Sequence, residues 1–347
     1  MKRLLIILDG MGDEAIPELG GKTPAEYARM PALDYMRKHG TTSCCRPVPA
    51  GCEPSTDAAL LHVLGYEVTP GLAARSWLEA LGAGIPAGGN DLCLRCSLIS
   101  HSKGKLTSHC GGDVGPRQCE EIIARLNRQF GSEKLTFHSC GSFRNIALVH
   151  DCGARVTARP PHELLGRPVS ELAVRSDDPA LEGLLNRCIA GARPLLSRYP
   201  ANGIALWAPG RPLRLAPKIK GAAVAGVNVV KGIARAAGLS VVVPAGATGD
   251  AHTDYRAKAE AALQALERES FVLLHVEAPD EASHQRDSLQ KAGILEEIDR
   301  CILRPLLQRG KDLQITLRAD HATSSRSGKH LSDPVEVITF HNTISLA

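Results

Sequence analysis

The fold turns on the stretch FVLLHVEAPDEASH, residues 271–284. FVLL is a short apolar run without alternation, the pattern of a strand buried on both faces. HVEAPDEASH then carries three carboxylates (Glu277, Asp280, Glu281) and two imidazoles (His275, His284) within ten residues. Asp280 and His284 are four apart and share a face if a helical turn begins there. A buried strand that ends in carboxylates and imidazoles is the arrangement in which an open α/β sheet holds a ligand, beyond the carboxyl ends of its strands.

On either side of this stretch, RLLIILDG, GLSVVVPAG and LQITLRADH read as further strands, and PALDYMRKHG, AKAEAALQALERE and LQKAGILEEIDRCILRPLLQRG as helices. Strands spaced by helices imply βαβ units on a largely parallel sheet. The middle differs. LCLRCSLIS, KLTFHSC, FRNIALVHD and ARVTARPPHELLG are short runs among many Gly and Pro. The expected fold class is therefore α/β, a mostly parallel sheet flanked by helices, with a smaller α+β domain inserted. The core is expected at 1–84 and 206–347, and the insertion at 85–205.

The chain has 347 residues, 44% hydrophobic and 22% charged, enough for two domains at roughly 100–200 residues each. Its formal net charge of +4 is scattered, and only 3% of residues are aromatic, so nucleic-acid binding is not indicated. LLIIL before Asp9 is shorter than a secretory h-region, and no apolar run approaches the ~20 residues of a membrane span. The 11 cysteines, an odd number on a long chain, point to reduced thiols and a cytoplasmic location. Cys93 and Cys96 form one CxxC with no second pair to complete a zinc site, and read as buried or incidental thiols.

Asp9, Asp280, His284, Asp320, His321 and His330 all fall at or just beyond expected strand ends. Each has an ordinary alternative: a loop or cap aspartate, a surface turn, a hydrogen-bonded histidine. Jointly they make a carboxylate and imidazole set large enough for two divalent ions, and the absence of thiolate favours Mn²⁺ or Zn²⁺, with Co²⁺ or Mg²⁺ also compatible. Paired ions serve in-line phosphoryl displacement. Ser55, Thr56 and Asp57 stand before AALLHVLG, where a hydroxyl at a helix N-terminus can meet phosphate; the alternative is an ordinary N-cap.

DGMGD, ELGGKTPAEYARMPALD, LGYE, RSWLEALGAGI, PPHELLG, VVKGIA, GATGDAHTDYRAKAEAAL, HVEAPDEASH, ADH and HLSDPV resemble the archaeal-type cofactor-independent (2,3-bisphosphoglycerate-independent) phosphoglycerate mutases of the alkaline phosphatase superfamily. The subgroup most resembled includes proposed homoserine kinases. The motifs run from residue 4 to about residue 338. The resemblance implies a two-metal phosphatase-like domain and an inserted domain that caps a small phosphorylated substrate. It implies one metal held by Asp280, His284 and His330, and another by Asp9, Asp320, His321 and the nucleophile. His275 and Glu277 are expected to be structural.

The family's Pro-Gly-Ser-Asp pattern, counted back from Gly65 and Tyr66, puts Thr56 on the nucleophilic serine and Ser55 on the glycine. Thr56 is the expected nucleophile and metal ligand, with Ser55 the alternative. Leu60 stands where the family has asparagine, and His252 and Asp254 depart from its Asp-Thr-Asn-Tyr pattern. Relatives also carry some tens of residues more after DPVEVITFHNTISLA. Arg75, Arg95, Arg144, Lys231 and Lys258 match cations of the family pattern and His162 matches a family histidine; these are the expected substrate-binding residues. The implied reaction interconverts 3- and 2-phosphoglycerate through a phospho-Thr/Ser enzyme. The alternatives are a phosphohydrolase or homoserine kinase-like phosphotransferase, and a catalytically inactive metal-binding remnant. Oligomeric state is not legible.

Overall fold

Lys2–Leu8 is buried from Leu4 onward. It lies between Phe271–Val276 and Leu313–Arg318, parallel to both; Phe271–Val276 is buried throughout and reads as an apolar run, whereas Leu313–Arg318 alternates buried Leu313, Ile315 and Leu317 with half-buried polar residues. The computed structural model describes residues 1–72, 74–112 and 114–342. These three strands are the centre of a seven-stranded sheet. Its order is Ser240–Val242, Ala222–Val224, Phe271–Val276, Lys2–Leu8, Leu313–Arg318, Val335–Asn342, Thr41–Cys45. The first five strands are mutually parallel, and Val335–Asn342 runs against both its neighbours. Helices cover the sheet. Tyr255–Arg268 buries Tyr255, Ala259, Ala262 and Leu266, and Asp254 caps it by accepting from the Ala257 amide at 2.9 Å. Departure from the family's amide at Asp254 thus keeps a cap.

One expected helix is broken. LQKAGILEEIDRCILRPLLQRG forms Ser288–Ile298, a wide turn Asp299–Leu303 with π-helical bonding, and Arg304–Arg309. Pro305 has no N–H to give the preceding turn, and a locally widened helix accommodates it. Asp299, buried in the wide turn, accepts from the Ala32 and Leu33 amides at 3.1 and 2.9 Å. It thereby caps the helix Pro31–His39, whose own N-cap residue, Met30, supplies no side-chain bond.

Residues 1–72 with 215–347 form one compact unit and 73–214 a second. These boundaries differ from the expected 84/85 and 205/206. In the second unit Leu92–Ser102 pairs antiparallel with Lys105–Ser108, Arg144–Val149 and Gly203–Gly210, and Leu135–His138 pairs with Arg144–Val149. Gly203–Gly210 therefore extends this sheet past residue 205. The helix Arg75–Gly82 belongs with it, since Ser76 Oγ donates to the Ala208 carbonyl. A side chain at Gly210 would put its Cβ 2.5 Å from the Trp77 backbone nitrogen, so this close approach requires glycine. The amphipathic helices Pro116–Phe130 and Pro179–Leu195 bury Ile122, Ile123 and Leu126, and Leu181, Leu185 and Ile189, in this unit's own core.

Candidate metal centre

The three central strands deliver the acidic residues together. Asp9 follows Lys2–Leu8, Asp280 sits in the helical turn Ala278–His284 after Phe271–Val276, and Asp320 and His321 follow Leu313–Arg318. Gly10 makes this convergence possible. Its φ is +63°, and a Cβ there would lie 2.8 Å from Asp280 Cα and Cβ. Any other residue would be strained in the turn and would push the Asp280 backbone away.

Two groups result. Around Asp280, His284 Nε2 lies 3.1 Å from Oδ2 and His330 Nε2 lies 3.6 Å from Oδ1. Around His321, Nε2 lies 3.5 Å from both Asp9 Oδ1 and Asp320 Oδ2. The groups adjoin, because the His321 and His330 rings stack with centroids 3.9 Å apart. Potential ligand atoms of Asp280, His321 and His330, and of Asp9, Asp320 and His321, lie within 4.8 Å of one another in each set.

Each histidine is anchored through Nδ1 and presents Nε2 to the site. His284 Nδ1 is 2.8 Å from the Gly328 carbonyl, His330 Nδ1 is 2.8 Å from the Pro54 carbonyl, and His321 Nδ1 is 3.1 Å from Thr323 Oγ1. A carbonyl can only accept, so Nδ1 of His284 and His330 carries a proton and Nε2 is the nitrogen left to face the site, as in a metal-ligating imidazole. The two Nε2 atoms face each other at 3.2 Å. Two lone pairs at that distance require a shared proton or a cation between them.

The second group makes the same demand. Both carboxylate oxygens of Asp9, together with Asp320 Oδ2 and His321 Nε2, are buried without a hydrogen-bond partner among the described residues. Buried polar atoms are ordinarily paired, and charged ones more so. Burial, then the charges of Asp320, Asp280 and Glu277, lifts the Asp9 carboxyl well above its ordinary range. At Asp280 burial acts upward, but the His284 hydrogen bond and the charges of His284, His321 and His330 outweigh it and hold the carboxyl far down. His284 is held up at about 9, because Asp280 overcomes burial. Burial instead pushes His330 down to about 4. Carboxylates and imidazoles that need positive charge, with no thiolate among them, fit hard or borderline divalent ions.

His275 and Glu277, read as structural, also meet Asp9. His275 Nε2 is 3.2 Å from Asp9 Oδ2, and burial pushes this histidine down to about 4. Asp9 thus faces His321 with one oxygen and His275 with the other. Sequence reasoning missed Thr323, Lys291 and Asp13, which brace the centre. Thr323 Oγ1 donates to Asp280 Oδ1 at 2.6 Å, and Lys291 Nζ is 2.8 Å from Asp13 Oδ2. Asp13 and Thr323 had position as their only signal, in DGMGD and ADHAT beside the ligands, and Lys291, inside the helix Ser288–Ile298, had none.

Ser55 precedes the helix Thr56–Val63 in extended backbone but makes no side-chain cap bond, so the ordinary N-cap role is not realised. Thr56 is the first helical residue and buried. The Pro54 carbonyl that holds His330 ties this segment to the centre. Ser55 and Asp57 line a cavity of about 410 Å³.

The other expected cations divide between the units. In the first, Lys231 lies in the helix Asn228–Ala236. Lys258 is buried, donates to the carbonyls of Thr248 (3.2 Å) and His275 (3.4 Å), and is pushed down by burial to about 8. In the second, Glu79 gathers three arginines. Arg95 pairs with it through two nitrogens and stacks over Trp207 at 4.8 Å, Arg75 Nε is 3.5 Å away, and exposed Arg144 contributes its field. His162 stacks edge-on to Trp207 at 5.6 Å. Arg95 is thus already engaged in a carboxylate fork, unlike Arg144. Cys93 and Cys96 are fully buried, and burial pushes the Cys93 thiol up to about 12 and that of Cys96 higher still, which makes both inert.

Residues 1–345 match the family model described as Metalloenzyme superfamily. A Methanosarcina acetivorans protein named 2,3-bisphosphoglycerate-independent phosphoglycerate mutase is 33% identical, over 96% of this chain and 89% of its own. A Methanothermobacter thermautotrophicus protein, so named with the suffix 2, is also 33% identical, over 97% and 88%. Among solved structures, a Pyrococcus horikoshii protein superposes with TM-score 0.77 at 28% identity, covering 98% of this chain and 87% of that one. A cofactor-independent phosphoglycerate mutase from Thermoplasma acidophilum gives TM-score 0.58 at 22% identity over 99% and 91%, a likeness of fold.

Proposed function

Because the chain belongs to the Metalloenzyme superfamily, and within it to the family of the 2,3-bisphosphoglycerate-independent phosphoglycerate mutases, we propose that it interconverts 3- and 2-phosphoglycerate. The observation that carries the reading is the set Asp9, Asp280, His284, Asp320, His321 and His330, of which the three aspartates and His321 are buried, and whose unpaired oxygens and inward Nε2 atoms fit two divalent ions. Asp280, His284 and His330 would hold one, and Asp9, Asp320, His321 and the nucleophile the other. Mn²⁺ or Zn²⁺ suits this donor set, with Co²⁺ or Mg²⁺ as alternatives. Such ions supply positive charge for phosphoryl oxygens and lower the pKa of an attacking hydroxyl.

The chain's own residues supply the rest. Thr56, or Ser55 beside it, gives the oxygen that accepts the phosphoryl group from one glycerate hydroxyl and returns it to the other. Backbone N–H groups at the start of Thr56–Val63 suit a phosphate there. Arg144 and Arg75, around a single Glu79, leave the second unit with a surplus of guanidinium charge for an anionic substrate. We assign that unit the substrate-capping role, with Lys231, Lys258 and His162 also serving the substrate. Cys44, Cys45, Cys52, Cys93, Cys96, Cys110, Cys119, Cys152, Cys188 and Cys301 are free thiols, in keeping with a reducing cytoplasm. No helix among the described residues is long and apolar enough to cross a membrane.

The test is a coupled assay on metal-loaded protein starting from 3-phosphoglycerate, monitoring 2-phosphoglycerate and free phosphate, with Thr56→Ala and Ser55→Ala in parallel. Isomerisation lost only in Thr56→Ala fits the proposal. Phosphate release without isomerisation replaces it with a hydrolase. No product from either, with metal bound, excludes phosphoglycerate as the substrate.

A further inference from the structure

We propose that Thr323 is a positioning residue that couples the two ion sites through one hydroxyl. The inference rests on the reading of His321, Asp280 and His330 as ligands. Thr323 is fully buried, and its hydroxyl meets both groups: Oγ1 donates to Asp280 Oδ1 at 2.6 Å and lies 3.1 Å from His321 Nδ1. A hydroxyl has one proton. If that proton goes to the Asp280 carboxylate, Oγ1 can only accept from His321, so Nδ1 must carry the imidazole proton. The His321 Nε2 lone pair is then directed at Asp9 and Asp320, each 3.5 Å away. The same bond occupies Oδ1 of Asp280 and turns Oδ2 to His284, 3.1 Å away. The backbone of Thr323 also pairs across a short ladder with His330. One residue therefore sets the orientation of ligands belonging to both sites.

The hydroxyl can do this only if the backbone that carries it is held still, and a buried cation holds that backbone. Lys291 Nζ, wholly inaccessible to solvent, donates to the Thr323 carbonyl at 2.9 Å, the Gly12 carbonyl at 3.0 Å and Asp13 Oδ2 at 2.8 Å. Asp13 in turn accepts from the amide and hydroxyl of Ser325, and the Thr323 amide donates to the Gly12 carbonyl at 2.9 Å. The segment 322–325 is thereby fixed to the loop after Asp9. A second-sphere group that sets the tautomer and aim of a ligating histidine contributes about 10–100-fold to metal affinity.

The experiment titrates Mn²⁺ alone into metal-free wild type, Thr323→Val, Thr323→Ala and Thr323→Ser by calorimetry. Valine keeps the shape and removes the hydroxyl, alanine removes it without adding a methyl group, and serine restores it. Both hydroxyl-free variants should bind at both sites about 10–100-fold more weakly, with serine close to wild type. In the Zn²⁺-loaded protein, the His321 Nδ1 proton should exchange slowly with solvent in wild type and Thr323→Ser, and faster in Thr323→Val. Wild-type affinity at either site in Thr323→Val or Thr323→Ala, or a serine variant as weak as valine, overturns the coupling role. Wild type that takes up two ions but does not isomerise phosphoglycerate defeats the proposed reaction and leaves the Thr323 comparison intact. Wild type that binds no divalent ion overturns both.

Discussion

Glu79 in the second unit and Asp9 in the first are both buried carboxylates, and they are satisfied in opposite ways. Glu79 has its counter-charge built in: Arg95 forks onto it and Arg75 stands 3.5 Å away. Burial alone would raise its pKa, but those guanidinium charges win and hold it below its ordinary value of 4.5. Asp9 has Asp320, Asp280 and Glu277 around it and no guanidinium or ammonium against it, so burial and like charge act together and its pKa rises. One carboxylate is a structural tie complete in the bare protein. The other is a half-made pair, and the difference separates a scaffold from a ligand site.

Removing metal should produce the largest effect and bears most directly on this contrast. Chelation should take isomerase activity to background, and excess Mn²⁺ should restore it. An ion at a hundred times its Kd adds ~2.7 kcal/mol per site, so metal-free protein should melt roughly 5–10 °C lower in calorimetry. No change in Tm would mean that Asp9 is not waiting for a cation. Next comes Glu79→Ala, which strands a buried Arg95 and should cost about 3–5 kcal/mol in urea unfolding. Replacing both partners by Leu should recover most of that loss, since no charge is then left buried.

Acid should separate the two carboxylates by sign. Glu79, with a lowered folded-state pKa, contributes stability that is present above about pH 4.5 and is lost as pH falls further. Asp9, with a raised one, contributes the reverse in metal-free protein: stability grows as pH falls through its folded-state pKa, until the unfolded value near 3.8 is passed. Urea midpoints measured from pH 7 downward should show a gain before the final loss, and Asp9→Asn should abolish the gain. Saturating Mn²⁺ should remove it too. The smallest effect is expected from Ser55→Ala, whose hydroxyl makes no cap bond; its stability should stay within about 0.5 kcal/mol of wild type.

Legibility in the sequence divides along the same line. Lys2–Leu8 and Phe271–Val276 were legible because strands buried on both faces carry long apolar stretches, and Leu313–Arg318 because Leu313, Ile315 and Leu317 alternate with polar residues. Legible strand ends made Asp9, Asp280 and Asp320 stand out. The unit boundary was not legible, because it depends on Gly203–Gly210 pairing with Leu92–Ser102, a contact between distant segments that leaves no local pattern. Asp299 looked like one polar position of a long helix, and only the structure shows it capping another. Thr323 was hidden for a similar reason: its role arises from the lysine behind it and the turn that pairs it with His330. The Glu79 cluster was half visible, as arginines matching a pattern, but nothing in the sequence said that Arg95 was already engaged.

The cap that Asp299 places on Pro31–His39 bears on how the chain emerges from the ribosome. The two partners are 266 and 267 residues apart, and the strand neighbours of Lys2–Leu8 are more distant still. At roughly 5–20 residues per second, the helix Pro31–His39 and the strand Lys2–Leu8 wait on the order of ten to fifty seconds for the residues that complete them. The second unit, continuous in sequence, can finish within that interval. The nascent N-terminal strand, apolar on both faces, is exposed throughout it. Chaperone dependence should therefore concentrate on the opening seventy residues, and a translation pause before residue 271 would prolong the exposure of the metal-binding half alone.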